Sequence, residues 1–495
     1  MKKVLLLILL IIAMMLVALV VRTYSFSSRQ KDIPPVERAA IPVTAATHLS
    51  EALQYKTISH SASSEIDSAA FRAYLTFLEN TYPLIEANLE KRCFNDFSFL
   101  YKWEGSNPKL KPILLLSHYD VVPVEAATRG DWTQAPFSGK QTEGTIWGRG
   151  AIDDKTAGIA ILEAMEMLIK EGYQPERTVY FSLGHDEEKG GPSGAASIAA
   201  WLRAQDIKLS YVLDEGGAIT KDIIPAVSKE VAFVGIAEKG YLNLELSVQM
   251  SGGHSSIPLE ANAIDVLTQT LAKLKANPFP SRISKPVRLM FEYLGPEASF
   301  GMKMALVNAD VLEPLLLQGL GQIPQGKANI RTTMVPTVFS SGVKENVIPK
   351  TASAIVNLRI LPGETAETAI EYVRETIDDD RIRVMPHGIP SEPSNVSDIT
   401  SSSYNTLYRT IREIYPEVVV VPNLLVGGTD SRYFQDLTEN TFRFRPFHIR
   451  PDNAQSFHGV DERMTVGDLE DGIRFFRQLI RNNRFFVGDY LHQKG

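Results

Sequence analysis

The sequence predicts an α/β fold, with a main domain built on a mostly parallel sheet flanked by helices and a second, α+β domain inserted into it. The first reason is length, because 495 residues exceed the roughly 250–300 residues at which one hydrophobic core stops growing. The second is that short apolar runs alternate with amphipathic segments from Lys111 onward, as expected of strand–helix units. The third is that residues 236–394 contain strands with strict apolar–polar alternation, which indicates a separate insert.

The first part of the main domain, residues 44–235, contains the clearest strands. Three short apolar runs predict them: 113–116, 178–183 and 211–213. Residues 157–169 carry apolar side chains at helical spacing and end close to a glycine, which predicts a helix between the first two strands. A strand–helix–strand order favours a parallel sheet.

The inserted domain shows two strand patterns and two helix patterns. The strand patterns are 242–248 and 354–360, and the helix patterns are 263–274 and 369–377. The main domain then resumes at residues 395–495. The apolar pattern there predicts a strand at 418–421 and helices at 404–414 and 469–480.

The N-terminus carries an unbroken apolar run at residues 4–21, which follows two lysines and ends at Arg22. Its length approaches the roughly 20 residues that cross a bilayer. No clear small-x-small cleavage site follows, so we favour an uncleaved membrane anchor at residues 1–22 over a cleaved signal peptide. Positive charge at the N-terminus would put the body on the periplasmic, lumenal or extracellular side, and cleavage would make it secreted. The polar, proline-containing residues 23–43 are typical of a tether.

Composition limits the partners. The formal net charge is −7, and Lys and Arg form no long run, so nucleic acid is not an expected partner. The single cysteine, Cys93, excludes an internal disulfide and a thiolate-only metal cluster. Any metal would therefore be held by His, Asp and Glu.

Four clusters of acidic or His residues lie directly after predicted strands or in the loops beside them: Ser117-His118-Tyr119-Asp120, Asp153-Asp154, Asp186-Glu187-Glu188 and Asp214-Glu215. In open α/β sheets the ligand crevice lies beyond the carboxyl ends of the strands, so we expect these clusters to converge. Converging carboxylates repel one another unless a cation holds them. A single Asp after a strand is usually a solvated loop residue, but the joint pattern predicts a metal site.

Three segments resemble the signatures of the metallopeptidase family that includes glutamate carboxypeptidase, aminoacylase-1, succinyl-diaminopimelate desuccinylase and carboxypeptidase S. They are Ser-His-Tyr-Asp-Val-Val-Pro at 117–123, Gly-Arg-Gly-Ala-Ile-Asp-Asp-Lys at 148–155 and Gly-His-Asp-Glu-Glu at 184–188. The resemblance is strongest to the branch of carboxypeptidase S and N-fatty-acyl-amino-acid synthase/hydrolase, which shares the N-terminal hydrophobic segment and the longer lid. It implies a catalytic domain with an inserted lid/dimerisation domain, and it allows a homodimer through that lid.

The resemblance implies two Zn²⁺ per chain, with Mn²⁺ or Co²⁺ as substitutes. His118 and Asp214 would hold one zinc, Glu188 and His458 the other, and Asp153 would bridge both. His458 alone would more often be a structural histidine, but it lies in Phe-His-Gly-Val-Asp-Glu at 457–462, which resembles the last ligand motif of the family. Imidazole and carboxylate ligands suit zinc.

Glu187 is the candidate general base, because a nucleophilic water needs a group that takes its proton. It sits beside the expected ligand Glu188, and neighbouring side chains in a strand-end loop can diverge. Asp120 would orient His118 through a hydrogen bond; otherwise it is a solvated surface acid.

Three residues of the insert match substrate-side positions of the family. His254, in Gly-Gly-His-Ser-Ser at 252–256, would polarise the scissile carbonyl, commonly from the partner subunit. Asn346 and Arg359 would hold the carboxylate of the substrate, a task that suits the planar fork of Arg, although Arg359 could instead form a structural salt bridge. The loop at 427–432 also fits the family, without individual roles. The apolar residues from 289 to 320 predict either a pocket for an apolar acyl group or ordinary core.

The expected function is therefore di-zinc hydrolysis of an amide bond next to a free carboxylate. The substrate would be a small peptide, as for a carboxypeptidase, or an N-acyl amino acid, as for an aminoacylase. A membrane-tethered binding protein of the same fold is the non-enzymatic alternative, and the presence of every expected ligand and of Glu187 argues against it. A serine hydrolase is not expected, because no Gly-x-Ser-x-Gly elbow accompanies a suitable His and acid.

Overall fold

The computed structural model describes residues 1–60 and 66–484. The helices within these residues are α1 (Lys2–Ser25), α2 (Thr44–Ala52), α3 (Ser68–Thr81), α4 (Pro83–Asn88), α5 (Lys155–Lys170), α6 (Ala195–Ala204), α7 (Ala263–Ala276), α8 (Lys285–Leu294), α9 (Phe300–Val307), α10 (Ala309–Leu320), α11 (Pro324–Ile330), α12 (Ala366–Ile377), α13 (Ser402–Ile414) and α14 (Val466–Asn482). The strands are β1 (Glu90–Phe94), β2 (Ser98–Trp103), β3 (Ile113–His118), β4 (Gln141–Thr142), β5 (Thr145–Trp147), β6 (Val179–Gly184), β7 (Tyr211–Asp214), β8 (Ile219–Thr220), β9 (Val231–Glu238), β10 (Gly240–Gln249), β11 (Gly253–His254), β12 (Thr333–Ser341), β13 (Val347–Ile348), β14 (Thr351–Ile360), β15 (Ile382–Pro386), β16 (Val419–Leu425), β17 (Thr441–Arg443), β18 (His448–Ile449) and β19 (Arg463–Thr465).

The main domain is built on a ten-stranded sheet in the order β1-β2-β6-β3-β7-β17-β9-β8-β18, with β16 beside β9. Its central strands β6, β3, β7 and β17 run parallel. Every residue of β3 is buried, because helices cover both faces: Ile113 and Leu115 face the cluster that contains α5 and α14, whereas Leu114 and Leu116 face α6. The predicted α/β class is confirmed, as are its three first strands and the helix at α5.

The insert contains a four-stranded antiparallel sheet in the order β12-β14-β10-β15. Along β10 buried and half-buried residues alternate, and the buried set, Leu242, Leu244, Leu246 and Val248, packs with residues of α7 and α12. The apolar–polar alternation in the sequence therefore marks one covered face, as predicted.

Helices α8 to α10 lie inside the expected insert boundaries of 236–394, but their packing joins them to the main domain. Phe291 and Leu294 of α8 share a buried cluster with Val419 and Val421 of β16. The apolar stretch that the sequence assigned either to core or to a pocket thus forms core on its inner side.

The N-terminal helix α1 has 24 residues and is long and apolar enough to cross a membrane by length and composition. Residues 23–43 were expected to form a tether. The structure places 23–25 in α1 and lays residues 26–43, which we call the N-terminal strap, along the main domain. The side-chain amide of Gln30 accepts a bond from the Val420 backbone N–H (2.9 Å) and donates to the Val420 carbonyl (3.1 Å). Farther along, Val36 donates its backbone N–H to the carbonyl of Glu413 in α13. The Gln30 side chain thus satisfies the backbone groups of Val420 on the outer edge of β16.

Candidate metal centre

The acidic and His clusters converge at the carboxyl ends of the parallel strands, as the topology requires. Two groups of potential ligand atoms form there, each with its atoms within 4.8 Å of one another: His118, Glu187 and Glu215 in one, and Asp153, Glu188 and His458 in the other. His118 ends β3, and Glu187 and Glu188 lie in a single helical turn after β6.

Asp153 lies between the two groups. Its Oδ1 is 3.2 Å from Nε2 of His118, and its Oδ2 is 2.9 Å from Nε2 of His458. His458 Nε2 is also 3.4 Å from Oε1 of Glu188. One carboxylate therefore faces both groups with different oxygens, which is the placement a bridging ligand needs.

Asp214, the ligand expected beside His118, does not enter this cluster. Its Oδ1 accepts the backbone N–H of Glu215 (2.8 Å) and its Oδ2 accepts that of Ser431 (2.7 Å). The next residue takes the expected place, since Glu215 Oε1 is 3.6 Å from His118 Nε2. Successive side chains at a strand end point to opposite sides, and the sequence did not determine which of the two acids faces the crevice.

Burial dominates the electrostatics of the acids. It raises the pKa of Glu187 and of Glu215 well above the usual range, and the charge of a neighbouring acid adds to each shift. Burial opposes the ionised form of Asp153 too, but hydrogen bonds from His118 and His458 hold its pKa well below the usual range. The hydrogen bonds to Asp153 and Glu188 raise the pKa of His458 to about 10.

These donors fit a divalent cation. Oε1 of Glu188 is buried, and apart from the 3.4 Å approach of His458 Nε2 it has no hydrogen-bond partner among the described residues, so that oxygen is available to a cation. Several buried carboxylates also lie close together here, and a divalent cation would offset their mutual repulsion. Imidazole and carboxylate oxygens together match zinc and its borderline neighbours.

Asp120 organises the cluster from behind. Its fully buried carboxylate accepts the backbone N–H groups of Glu187 and Glu188, each at 3.1 Å, and the hydroxyl of Ser59 at 2.7 Å. Its backbone carbonyl lies 3.0 Å from Nδ1 of His118. It thereby fixes the turn that carries both glutamates and the orientation of the histidine ring.

Glu462 and Arg149 form a second support that the sequence reasoning did not identify. The Glu462 carboxylate accepts backbone N–H groups from Gly150 (2.9 Å), Ile152 (2.7 Å) and Asp153 (3.0 Å), and it pairs with Arg149 at 2.7 Å. Arg149 also donates to the carbonyl of His458. This pair joins the two loops that carry Asp153 and His458. Both residues lie inside the motifs at 148–155 and 457–462, so those motifs could have identified the pair.

Arg445 brings a cation to the cluster. Its Nη1 lies 3.1 Å from Glu215 Oε2 and 3.2 Å from Asp153 Oδ1. No local pattern around residue 445 marked it, because its contacts come from loops more than 200 positions away in the chain.

Of the substrate-side residues, Arg359 is half-buried on β14 and lies over the ring of Tyr241, 4.7 Å from its centroid. Burial lowers its pKa, and the charges that act on it include Arg432 and Glu187. The Arg359 guanidinium is therefore within electrostatic reach of Glu187. Asn346 lies beside His254 on the insert, where its backbone carbonyl accepts the N–H of Ser255 (3.1 Å). Its side-chain oxygen is buried without a hydrogen-bond donor.

His254 lies apart from the metal cluster. It is exposed in the two-residue strand β11, opposite Val347 of β13, and its Nδ1 is 2.8 Å from the Ser256 hydroxyl. Its ring is exposed on an edge of the insert, and it is not among the residues of the two ligand groups.

Comparison with known proteins gives a consistent result. The profile described as "Peptidase family M20/M25/M40" matches residues 114–482. A probable carboxypeptidase S-like 2 of Dictyostelium discoideum is 38% identical over 483 residues, covering 95% of this chain and 92% of that protein. The N-fatty-acyl-amino acid synthase/hydrolase of Xenopus tropicalis is 36% identical over 442 residues, covering 88% of this chain and 85% of that protein.

Among solved structures, an M20 family metallo-carboxypeptidase from Sulfolobus solfataricus superposes with a TM-score of 0.66 at 18% identity, covering 88% of this chain and 98% of that one. At this identity the likeness shows the fold alone. It supports the combination of a main α/β domain with an insert.

Proposed function

The chain belongs to peptidase family M20/M25/M40 and is a metallopeptidase or amidohydrolase, and from this premise we propose that it uses two zinc ions to hydrolyse an amide bond next to a free carboxylate. The observation that carries the proposal is the pair of ligand groups that meet at Asp153, with Glu187 beside His118 in one of them. The charge of Glu187 also acts on Arg359.

The proposed ligands are His118 and Glu215 for one zinc and Glu188 and His458 for the other, with Asp153 shared. Asp214 remains the alternative to Glu215. When bound, the metals would supply Lewis-acid activation of water and of the scissile carbonyl.

The remaining steps belong to side chains of this protein. Glu187 would take a proton from the attacking water and return it to the leaving nitrogen, so that its carboxylate acts first as base and then as acid. Arg359 and Asn346 would hold the carboxylate of the substrate and thereby orient the scissile bond. His254 of a second subunit would donate a hydrogen bond to the developing oxyanion.

A carboxypeptidase-type activity on small peptides is our first choice, supported by the 38% identity with a probable carboxypeptidase S-like protein. Hydrolysis of N-acyl amino acids is the second, supported by the 36% identity with an N-fatty-acyl-amino acid synthase/hydrolase. Both reactions cleave an amide next to a free carboxylate, so one site serves either.

We further propose that α1 anchors the protein in a membrane, with its body on the periplasmic, lumenal or extracellular side. The length and composition of α1 support a span, and the two lysines at its start favour retention of that end inside. A homodimer through the insert would supply the second His254.

The test compares each free-acid substrate with its C-terminal amide, for a peptide and for an N-acyl amino acid. Removing the carboxylate should lower kcat/KM roughly 10²-fold, because a hydrogen bond to a charged group contributes about 1.5–3 kcal/mol. Arg359→Ala should lower the rate on the free acid and abolish most of the difference between acid and amide. Arg383→Ala, at an exposed position of β15, is the matched control and should change neither. Equal wild-type rates on acid and amide would contradict the proposal.

A further inference from the structure

The helix pair α9–α10 has apolar residues on its outer side as well as on its inner side. Outward, Phe300 is 45% exposed, Val311 46% and Leu315 65%. Val311 and Leu315 are four residues apart on α10 and share one face of that helix. We call Phe300, Val311 and Leu315 the outer hairpin face.

The inner side of the same pair is already used. Leu316, Leu317 and Leu320 pack on the buried cluster that α8 and β16 share. A surface helix normally shows one apolar stripe and one polar face, so α10 carries more apolar surface than the packing of the main domain requires. Exposed apolar surface of this kind marks an interaction site.

The end of α1 docks on this pair. The side-chain amide of Asn308 donates to the Thr23 hydroxyl at 3.0 Å, and Arg22 pairs with Asp310 at 2.8 Å. The ring centroids of Tyr24 and Phe300 are 5.2 Å apart. The last turns of the proposed anchor are thus fixed beside the outer hairpin face.

This contact sets the height of the hairpin relative to a membrane. At a rise of 1.5 Å per residue the apolar residues 4–21 extend about 27 Å, close to the roughly 30 Å of a hydrocarbon core. Arg22 would therefore lie at the bilayer surface. Since Arg22 pairs with Asp310 in the first turn of α10, that turn would lie at the same level.

The charges of α10 do not oppose such a position. Its two acidic residues are both paired, Asp310 with Arg22 and Glu313 with Arg288 (3.6 Å). Within α9, Lys303 is the one charged residue, and a lysine next to apolar side chains suits the headgroup region.

We propose that the outer hairpin face is a second membrane-binding element, which lies in the interface of the same bilayer that α1 crosses. The occupant is lipid because the anchor enters the bilayer where this face begins. The proposal rests on the proposed anchoring by α1. It adds that the folded body contacts the membrane directly and is not attached through α1 alone.

The test uses the full chain with Cys93→Ser, which removes the one cysteine, exposed in the fold. Single cysteines replace Leu315 or Val311 on the hairpin, Leu10 in α1, or Val343, an exposed residue of the insert (92%). Each carries an environment-sensitive fluorophore, and the protein is reconstituted in phosphatidylcholine vesicles with or without a nitroxide near the headgroup end of the acyl chain.

We expect nitroxide quenching at positions 315 and 311 and none at 343. Quenching at position 10, measured with the nitroxide deep in the acyl chain, reports on the anchor alone. Quenching at 10 without quenching at 315 and 311 would overturn the hairpin proposal and leave the anchor in place. An unquenched position 10 would overturn the anchoring and, with it, the proposal that the hairpin binds the bilayer that α1 crosses. A blue shift at 315 without quenching would mean that the residue is buried against protein in the reconstituted chain and would overturn the lipid proposal.

Discussion

Two adjacent acids at the end of β7 have different partners. Glu215 faces His118, with 3.6 Å between the closest atoms, whereas Asp214 receives two backbone N–H groups. Both are buried carboxylates, so only their direction separates a ligand from a loop support.

Substitution distinguishes the two roles through metal content. Glu215→Gln should lower bound metal from about two ions per chain to about one, because the amide lacks a charged oxygen beside His118. Asp214→Asn should keep both ions. Elemental analysis of metal-saturated protein measures the difference, and the reverse pattern would return Asp214 to the ligand set.

The role of Glu187 is tested by Glu187→Gln. This change preserves shape and removes the proton acceptor, so metal content should be unchanged while kcat falls by roughly 10²–10⁴. Glu367→Gln on the exposed side of α12 is the control. A Glu187→Gln enzyme with near-normal kcat would mean that another group takes the proton.

At the scale of single residues, the motifs predicted which His and Glu residues would meet, and His118, Asp153, Glu188 and His458 do lie together. The motifs could not predict that Asp214, the last residue of β7, points away from the ligand groups. That direction depends on a hydrogen bond from the backbone of Ser431, more than 200 positions later in the chain. Arg445 was missed for the same reason: its contacts are made by folding and not by neighbours in sequence.

At the scale of elements, the Arg149–Glu462 pair holds two ligand-bearing loops together. The pair is buried on both sides (4% and 1% exposed side chains), so removing one partner leaves an uncompensated charge inside the protein.

Glu462→Ala should therefore destabilise the protein by about 3–5 kcal/mol and reduce metal affinity, since Asp153 and His458 lose their common support. Asp436→Ala removes the exposed partner of Arg203 and should cost less than about 1 kcal/mol. Chemical unfolding and metal titration measure both. Equal effects of the two changes would show that the pair has no special structural role.

Periodicity predicted the elements well where one face is covered, as in β10 and β14 with their alternating burial. It could not place α8 to α10, because an apolar stripe shows that one face of a helix is covered but does not show which element covers it. Their attachment to β16 follows from tertiary contacts across the domain boundary.

At the scale of the whole molecule, the exposed position of His254 gives a prediction about subunits. Mixing inactive His254→Ala with inactive Glu187→Gln should restore about a quarter of wild-type activity, since half of the random dimers are mixed and one of their two sites is complete.

Mixing Glu187→Gln with Glu215→Gln is the control, because both changes damage the crevice of their own chain and no mixed site is complete. Activity should stay at background there. Absence of rescue in the first mixture, with subunit exchange verified by mass, would contradict action across a dimer.

The N-terminal strap along β16 should determine whether a chain shortened to remove α1 aggregates. Within the residues described, β16 pairs with a strand on one side only, and the Gln30 side chain occupies the backbone groups of Val420 on the other. A chain shortened to begin at Phe26 keeps that cover, whereas one that begins at Thr44 leaves the edge open to pair with another molecule. The first should elute from size-exclusion chromatography as a defined species and the second should aggregate on concentration. We therefore expect the strap to prevent aggregation of the protein when α1 is absent.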